Sequence, residues 1–424
     1  MSRASLLGAI LIIAGGATVT AAEVRVDWHH VLSTKGSTRA TAYAASNKVI
    51  TIGTRTHVAW LDALSDTMIS TLDHQTGQWS GPVLIGSGLD NHGGPALCAD
   101  SRGYLHVAFG PHHGPLQYAV SARPNDASEW VQMPPFGDTA TYPALVCGAD
   151  NTLYCTYRGL KSPWKLVFQK LPPGGEWSEP MALVDASVKD GYTQYGNPLC
   201  LAPDGTLHVA FHVYDLHPAA GKAVGHLQSA DGGENWTLAD GTPVALPYTP
   251  QQPGWIVRGP ELDMRVGGID CDPDGHPYLT VSTYKPAPAT ADLWRFVGDG
   301  WQKVELSPVL RNAGAGPACL MGPLCFDDQG RLHVAIEASR DGAWGGATSE
   351  TYLLLSADRG DTFAVLPISV PDAGAANWLA NIERHTGHNR VAGPVIQYTH
   401  GVAGEGCTPQ DVTEVYAVRV LVGD

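Results

Sequence analysis

The sequence predicts an all-β fold, a seven-bladed β-propeller whose N-terminal strand closes the last blade. Three observations lead there: a hairpin that recurs along the chain, an aromatic residue that follows each copy of it, and a turn signature that occurs twice. The hairpin is seen by aligning GGPALCADSRGYLHVAF from Gly93, YPALVCGADNTLYCTY from Tyr142, GNPLCLAPDGTLHVAF from Gly196, GGIDCDPDGHPYLTVS from Gly267 and MGPLCFDDQGRLHVAI from Met321. Each reads as an apolar strand, an Asp/Gly turn and a second, alternating strand.

A third apolar stretch follows each hairpin, and an aromatic opens a fourth: Trp130, Trp177, Trp236, Trp301 and Phe363, with Trp79 ahead of the first. The period of roughly 57 residues holds one four-stranded blade. A single blade cannot bury both of its faces, so blades must stack on one another around an axis. Two weaker units span about Ala40 to Gly86 and Asn377 to Val420. The second lacks a fourth strand, and EVRVDW from Glu23 is expected to supply it.

The turn signature is SADGGENW from Ser229 and SADRGDTF from Ser356, the Asp-box pattern Ser-x-Asp-x-Gly-x-x-aromatic. Its aspartate bonds turn amides and its aromatic packs into the blade, so it is structural and marks the turn between third and fourth strands.

Composition agrees. A chain of 424 residues with 44% hydrophobic residues can bury a large core, and 49 glycines and 31 prolines spread evenly imply many tight turns rather than linkers. The first residues place Arg3 before an apolar run and then small residues, which predicts a signal peptide over 1–22, one propeller domain over 23–424, and a secreted or periplasmic protein. No other stretch is long enough to cross a bilayer. The net charge of −15 argues against nucleic acid or an anionic membrane as partner. A monomer is expected.

Cys98, Cys147, Cys200, Cys271 and Cys325 occupy nearly the same place in successive first strands. They read as small buried core residues, too far apart on neighbouring blades to bridge. Cys147 and Cys155 flank one turn and could pair. There is no CxxC or HExxH, so no metal or cofactor is expected in the chemistry, though a structural ion is left open.

Strand order assigns the loops to two rims. The Asp/Gly turns and the Asp-boxes lie on one; residues entering first strands and leaving second strands lie on the other. That second rim gathers His92, Tyr142, Gln194, Tyr195 and Arg265 before first strands, and His112, His113, Tyr157, Arg158, His212 and Tyr214 after second strands. His106, His208 and His333 fall at one interior place of the repeat and read as structural. Glycosidases need two carboxylates at the scissile bond, and here only Asp90 and Asp215 are placed for it. Abstracting a proton beside a carboxylate instead needs a base, a charge-neutralising group and an acid for the leaving oxygen, parts that His, Arg and Tyr can play. The corresponding reaction is β-elimination from a uronic acid, on an anionic polysaccharide.

LDNHGGPALCAD from Leu89, GPHHGPLQY with His112 twenty residues after His92, and TLYCTYRG with Tyr157 together resemble the bacterial-neuraminidase-repeat propellers that include the ulvan lyases of polysaccharide lyase families 24 and 25. The resemblance implies seven blades and cleavage of ulvan to an unsaturated uronate. It makes Tyr157 the proton-transfer residue, His92 and His112 its catalytic neighbours, and Tyr214 a substrate contact, with His113 beside them. The family's carboxylate-binding arginine would fall where this chain has Lys165 and Lys170, so Arg265 or Arg158 is expected to replace it. A sialidase-like hydrolase and a non-catalytic glycan-binding propeller are the alternatives. Unsaturated product separates the lyase from both.

Overall fold

The computed structural model describes residues 24–423 except 89, 162–163, 187–192, 216–221, 260, 318–321, 342–344 and 403–411; the predicted signal peptide lies outside them. Nearly every element is a β-strand, with one short α-helix at Ser307–Asn312. Antiparallel strands pair largely with their sequence neighbours to give six sheets. One sheet has seven strands because Asp126–Cys147 serves two units: up to Ala140 it pairs with Gly114–Arg123, and from Thr141 with Leu153–Gly159. Counted by its two halves, the chain forms seven consecutive antiparallel units.

The five aligned hairpins are all present. Cys98 pairs with His106, Cys147 with Leu153, Cys200 with His208, Cys271 with Pro277 and Cys325 with His333. The weak first unit is also there, from Val49–Ile52 to Val83–Ser87. In the last unit, Val24–Gly36 pairs with Thr413–Val422, so the N-terminal strand does supply the missing fourth strand.

Hydrophobic burial is divided among clusters, each shared by two consecutive units. Val146, Phe168, Val209 and Trp236 belong to one, and Tyr278, Leu293, Leu324 and Val334 to another. Alternating side chains give each unit an apolar residue on both faces, so neither face is stable until a neighbour covers it; each such side chain contributes roughly 1.5–3 kcal/mol once buried. One cluster joins the last unit to the first, with Val49, Val58 and Trp60 against Val395, Val415 and Ala417. Polar bonds reinforce that junction: the Asn381 amide donates to the Ser46 carbonyl at 3.0 Å and the Thr41 hydroxyl to the Leu379 carbonyl at 2.7 Å.

Both Asp-boxes sit where expected, at the ends of the third strands Ala223–Ser229 and Ser349–Ser356. Asp231 Oδ1 accepts from the Ser229 hydroxyl at 2.8 Å and from the Glu234 and Asn235 amides at 3.1 and 2.9 Å. Asp358 Oδ1 likewise takes the Ser356 hydroxyl at 2.7 Å and the Thr362 amide at 2.9 Å. The repeat histidines are structural too. His106 meets Tyr118, His208 meets His226 and His333 meets Asp327, all buried.

The six cysteines among the described residues are free and buried, so Cys147 and Cys155 do not pair. One expectation is corrected: Cys200 and Cys271, at equivalent places on consecutive first strands, bring their sulfurs to 3.9 Å. First strands of neighbouring units converge, and spacing inferred along the chain does not register that.

Candidate active site

Opposite the Asp/Gly turns, segments from the first three units converge. Asp90 and His92 enter the strand Ala96–Ala99, His112 and His113 leave Leu105–Phe109, and Tyr142 and Arg158 lie on Asp126–Cys147 and Leu153–Gly159. Gly93 and Gly110 make the first convergence possible. A Cβ on Gly93 would lie 2.5 Å from the Gly110 carbonyl carbon, so only glycine lets the two loops touch. The Gly110 amide bonds the Gly93 carbonyl at 3.1 Å, and the two histidine-bearing loops are thereby held together.

The result is a column of rings. His92 stacks on His112 with centroids 4.0 Å apart, His112 meets His113 at 3.9 Å, and His113 stacks on Trp164 at 4.4 Å. At the His92 end stand two phenols, Tyr43 and Tyr142, 4.8 Å apart and each about 6 Å from His92. Two guanidiniums flank the column. Arg158 lies over the Tyr142 and Trp164 rings, 4.9 and 4.6 Å from their centroids, and its Nη2 reaches His113 Nε2 at 2.6 Å. Arg39 Nη1 donates to the Tyr43 hydroxyl at 2.9 Å and to His92 Nε2 at 2.5 Å.

Asp90 lies behind the histidines. Its carboxylate accepts from His92 Nδ1 and stands 3.5 Å from His112 Nδ1. With Arg39 donating to Nε2, His92 carries its proton on Nδ1 and is a neutral imidazole. Burial holds His92 below its ordinary pKa, with Arg39 adding to the effect against the pull of Asp90. Burial and His92 bring His112 down to about 4; burial, His112 and Arg158 do the same for His113. Asp90, although partly buried, stays below the usual carboxylate range through its bonds to His92. Three imidazoles held below their ordinary pKa therefore sit between two guanidiniums.

The backbone is strained at the same place. Tyr43, His113 and Tyr142 have φ of 65°, 68° and 62°, in the left-handed region that bulky residues avoid. Such conformations cost of order 1–3 kcal/mol each and persist where surrounding structure enforces them.

Of the sequence-predicted residues, His92, His112, His113 and Arg158 are brought together. Tyr157 is not. Its ring lies in the apolar cluster with Leu153, Cys155 and Phe136, and its hydroxyl donates to Gln169 Oε1 at 2.5 Å. Period-two alternation explains the placement: Tyr157 shares a strand face with Leu153 and Cys155, while Arg158 belongs to the other. Tyr142 takes its place beside the histidines. Arg265 is also elsewhere, paired with Asp263 on its own strand. The Tyr214 backbone pairs with Gln194, and its side chain lies outside the described residues. Lys165 is engaged by Asp185 at 3.2 Å and Lys170 by Glu234, and of the two arginines expected at the site only Arg158 lies at the cluster.

Sequence reasoning missed Arg39, Tyr43 and Trp164. Arg39 and Tyr43 precede the first strand of the weakest repeat, where the alignment gave no rim position to read. Asp90, His92 and His112 offer ligand atoms within 4.8 Å of one another. Both His92 nitrogens are already bonded, to Asp90 and Arg39. Asp272, Asp274 and His276 form a second group, and Arg359 pairs with both of its aspartates.

An all-β chain of repeated four-stranded units carrying Asp-boxes is a repeat protein of the neuraminidase-repeat class, and residues 55–308 match the family described as BNR repeat-containing. The chain belongs to that family. It is similar to the ulvan lyase of Nonlabens ulvanivorans, 26% identical over 315 residues that cover 61% of this chain and 66% of that protein. The ulvan lyase of Pseudoalteromonas sp. (strain PLSV) is 25% identical over 273 residues, 54% of this chain and 55% of its own. The chain thus spans between about half and two thirds of the length of these curated relatives. A structure of a polysaccharide lyase family 25 ulvan lyase bound to -[GlcA(1-4)Rha3S]- superposes with a TM-score of 0.73 at 17% identity, covering 93% of this chain and 95% of that one. That likeness establishes the shared fold.

Proposed function

We propose that this protein is a polysaccharide lyase that cleaves a uronic-acid-containing polysaccharide, ulvan in the first place, by β-elimination. The observation that carries the reading is a neutral imidazole, His92, backed by Asp90 and set beside Tyr142 between two guanidiniums. In the reaction the C5–H bond breaks and its proton passes to a site imidazole, His92 or His112. The electron pair becomes the C4–C5 double bond as the C4–O bond breaks, and the departing oxygen takes a proton from a phenol, Tyr142 by its position. Arg158 offsets the negative charge that spreads into the uronate carboxylate. Relatives named as ulvan lyases support the substrate. Asp90 is the one carboxylate among the described groups of the cluster, and it is bound to histidine, which disfavours a two-carboxylate glycosidase.

The seven units are read as blades of one closed propeller, supported by the apolar cluster that joins last and first units. Residues 1–22 are proposed as a signal peptide, placing the protein outside the cytoplasm, where its polymer would be met, and a monomer suffices for the site. No metal or cofactor is invoked for the chemistry. Incubation with ulvan should produce ultraviolet absorbance from an unsaturated uronate. New reducing ends without that absorbance would indicate a hydrolase, and binding with neither would indicate a lectin.

A further inference from the structure

Arg39 differs from Arg158 in how it is held. Arg158 lies over two aromatic rings, Tyr142 and Trp164. Arg39 instead puts its bonds on one nitrogen, with Nη1 shared by the Tyr43 hydroxyl and His92 Nε2, while Nε and Nη2 make no hydrogen bond among the described residues. No carboxylate of the described residues lies within ion-pair distance of it, and the side chain is partly exposed. Its backbone is anchored: the Arg39 amide bonds Ser37 Oγ at 3.0 Å, and Ala42 N bonds the Arg39 carbonyl at 3.1 Å. The residue is thus a cation on a fixed stalk whose open edge matches a two-oxygen anion.

The bond to His92 has a chemical consequence. His92 donates its Nδ1–H to Asp90 in a hydrogen bond, so Nε2 carries the only lone pair with which this ring can take a proton, and Arg39 occupies it. While Arg39 stays there, the base is capped.

We propose that Arg39 is a second anion-binding residue of this site and a removable cap on His92. An oxyanion of the bound polymer, carboxylate or sulfate ester, draws the guanidinium onto itself through Nε and Nη2, and the rotation lifts Nη1 from His92 Nε2. The base is freed only when an anionic sugar is present. Arg39 acts through His92 and is a positioning residue. The inference rests on the lyase reading for the use made of the freed base, and on the geometry alone for the uncapping.

The test is histidine-selective ¹⁵N NMR of the whole protein, following His92 Nε2 during titration with sodium glucuronate and, separately, with sodium sulfate. The proposal expects the Nε2 signal to move from guanidinium-bonded to free while Nδ1 stays protonated. Response to glucuronate alone assigns Arg39 to a carboxylate, and response to sulfate alone assigns it to a sulfate ester. In Arg39→Gln the Nε2 signal should begin near the free position and the anions should no longer move it. With ulvan, Arg39→Gln should raise KM about tenfold or more while kcat stays within about threefold, because binding is weakened and the base already uncapped. An Nε2 signal unmoved by saturating concentrations of both anions overturns the proposal, as does a kcat that collapses with KM unchanged. Absence of unsaturated product from the parent protein would defeat the lyase reading and leave the NMR result to judge the cap.

Discussion

The two ends of the strands treat polar groups in opposite ways. At the Asp-box end the box aspartates are satisfied by their own turns: Asp231 and Asp358 bond groups two to four residues away. At the other end the partners are far apart in sequence, as with Arg39 and His92, 53 residues apart, or Arg158 and His113, 45 apart. The first end has Asp231 drawn down to about 2, chiefly by the Asn235 amide, which favours a permanently charged and inert group. The second has imidazoles kept uncharged beside cations. A local turn can hold a charge in place, but holding a reactive ring neutral takes several chain segments and strained backbone.

The largest effect separating the ends should come from Tyr142→Phe, which removes the phenol beside His92. A fall of about 10²–10⁴ in the rate of unsaturated-product formation is expected, with the thermal unfolding midpoint nearly unchanged. Tyr157→Phe is the control within the same hairpin. It should keep activity within a few-fold and cost about 1 kcal/mol in urea unfolding through the lost bond to Gln169; a collapse of activity there would return Tyr157 to the site.

An intermediate effect is expected on pH dependence. His112 and His113 remain neutral until about pH 4, so kcat/KM on ulvan should hold between pH 7 and 5.5. An ordinary histidine base would cost about eightfold between pH 7 and 5.5. The same rings affect stability: their folded pKa lies below the unfolded value, so the contribution is complete above about pH 6.5 and is lost as pH falls toward 4. A rate that halves by pH 6.5 would show that the rings are not held neutral.

The smallest effect should come from Asp231→Ala at the opposite end. Loss of the turn bonds is expected to cost roughly 1–2 kcal/mol in denaturant unfolding and to leave turnover unchanged. Reduced turnover at equal folded fraction would mean that the ends are coupled.

Repetition and alternation in the chain were enough to place the hairpins, both Asp-boxes, the structural histidines and the N-terminal strand, because these depend on side chains that recur at fixed spacing and bond locally. His92, His112, His113 and Arg158 were legible for a related reason, since each breaks the repeat at a loop position. Tyr157 lies apart from the histidines because one residue along a strand reverses the face, and only the register against Lys165–Leu171 and the core around Phe136 shows which way the ring goes. Arg39 and Tyr43 were beyond reach because their partners lie in another unit: Arg39 meets His92 only once the first and second units pack together. What the sequence determined by itself was the repeated scaffold and its inert end. The grouping of acid, base and cations waited on tertiary structure, because those contacts exist only between strands that the chain order keeps apart.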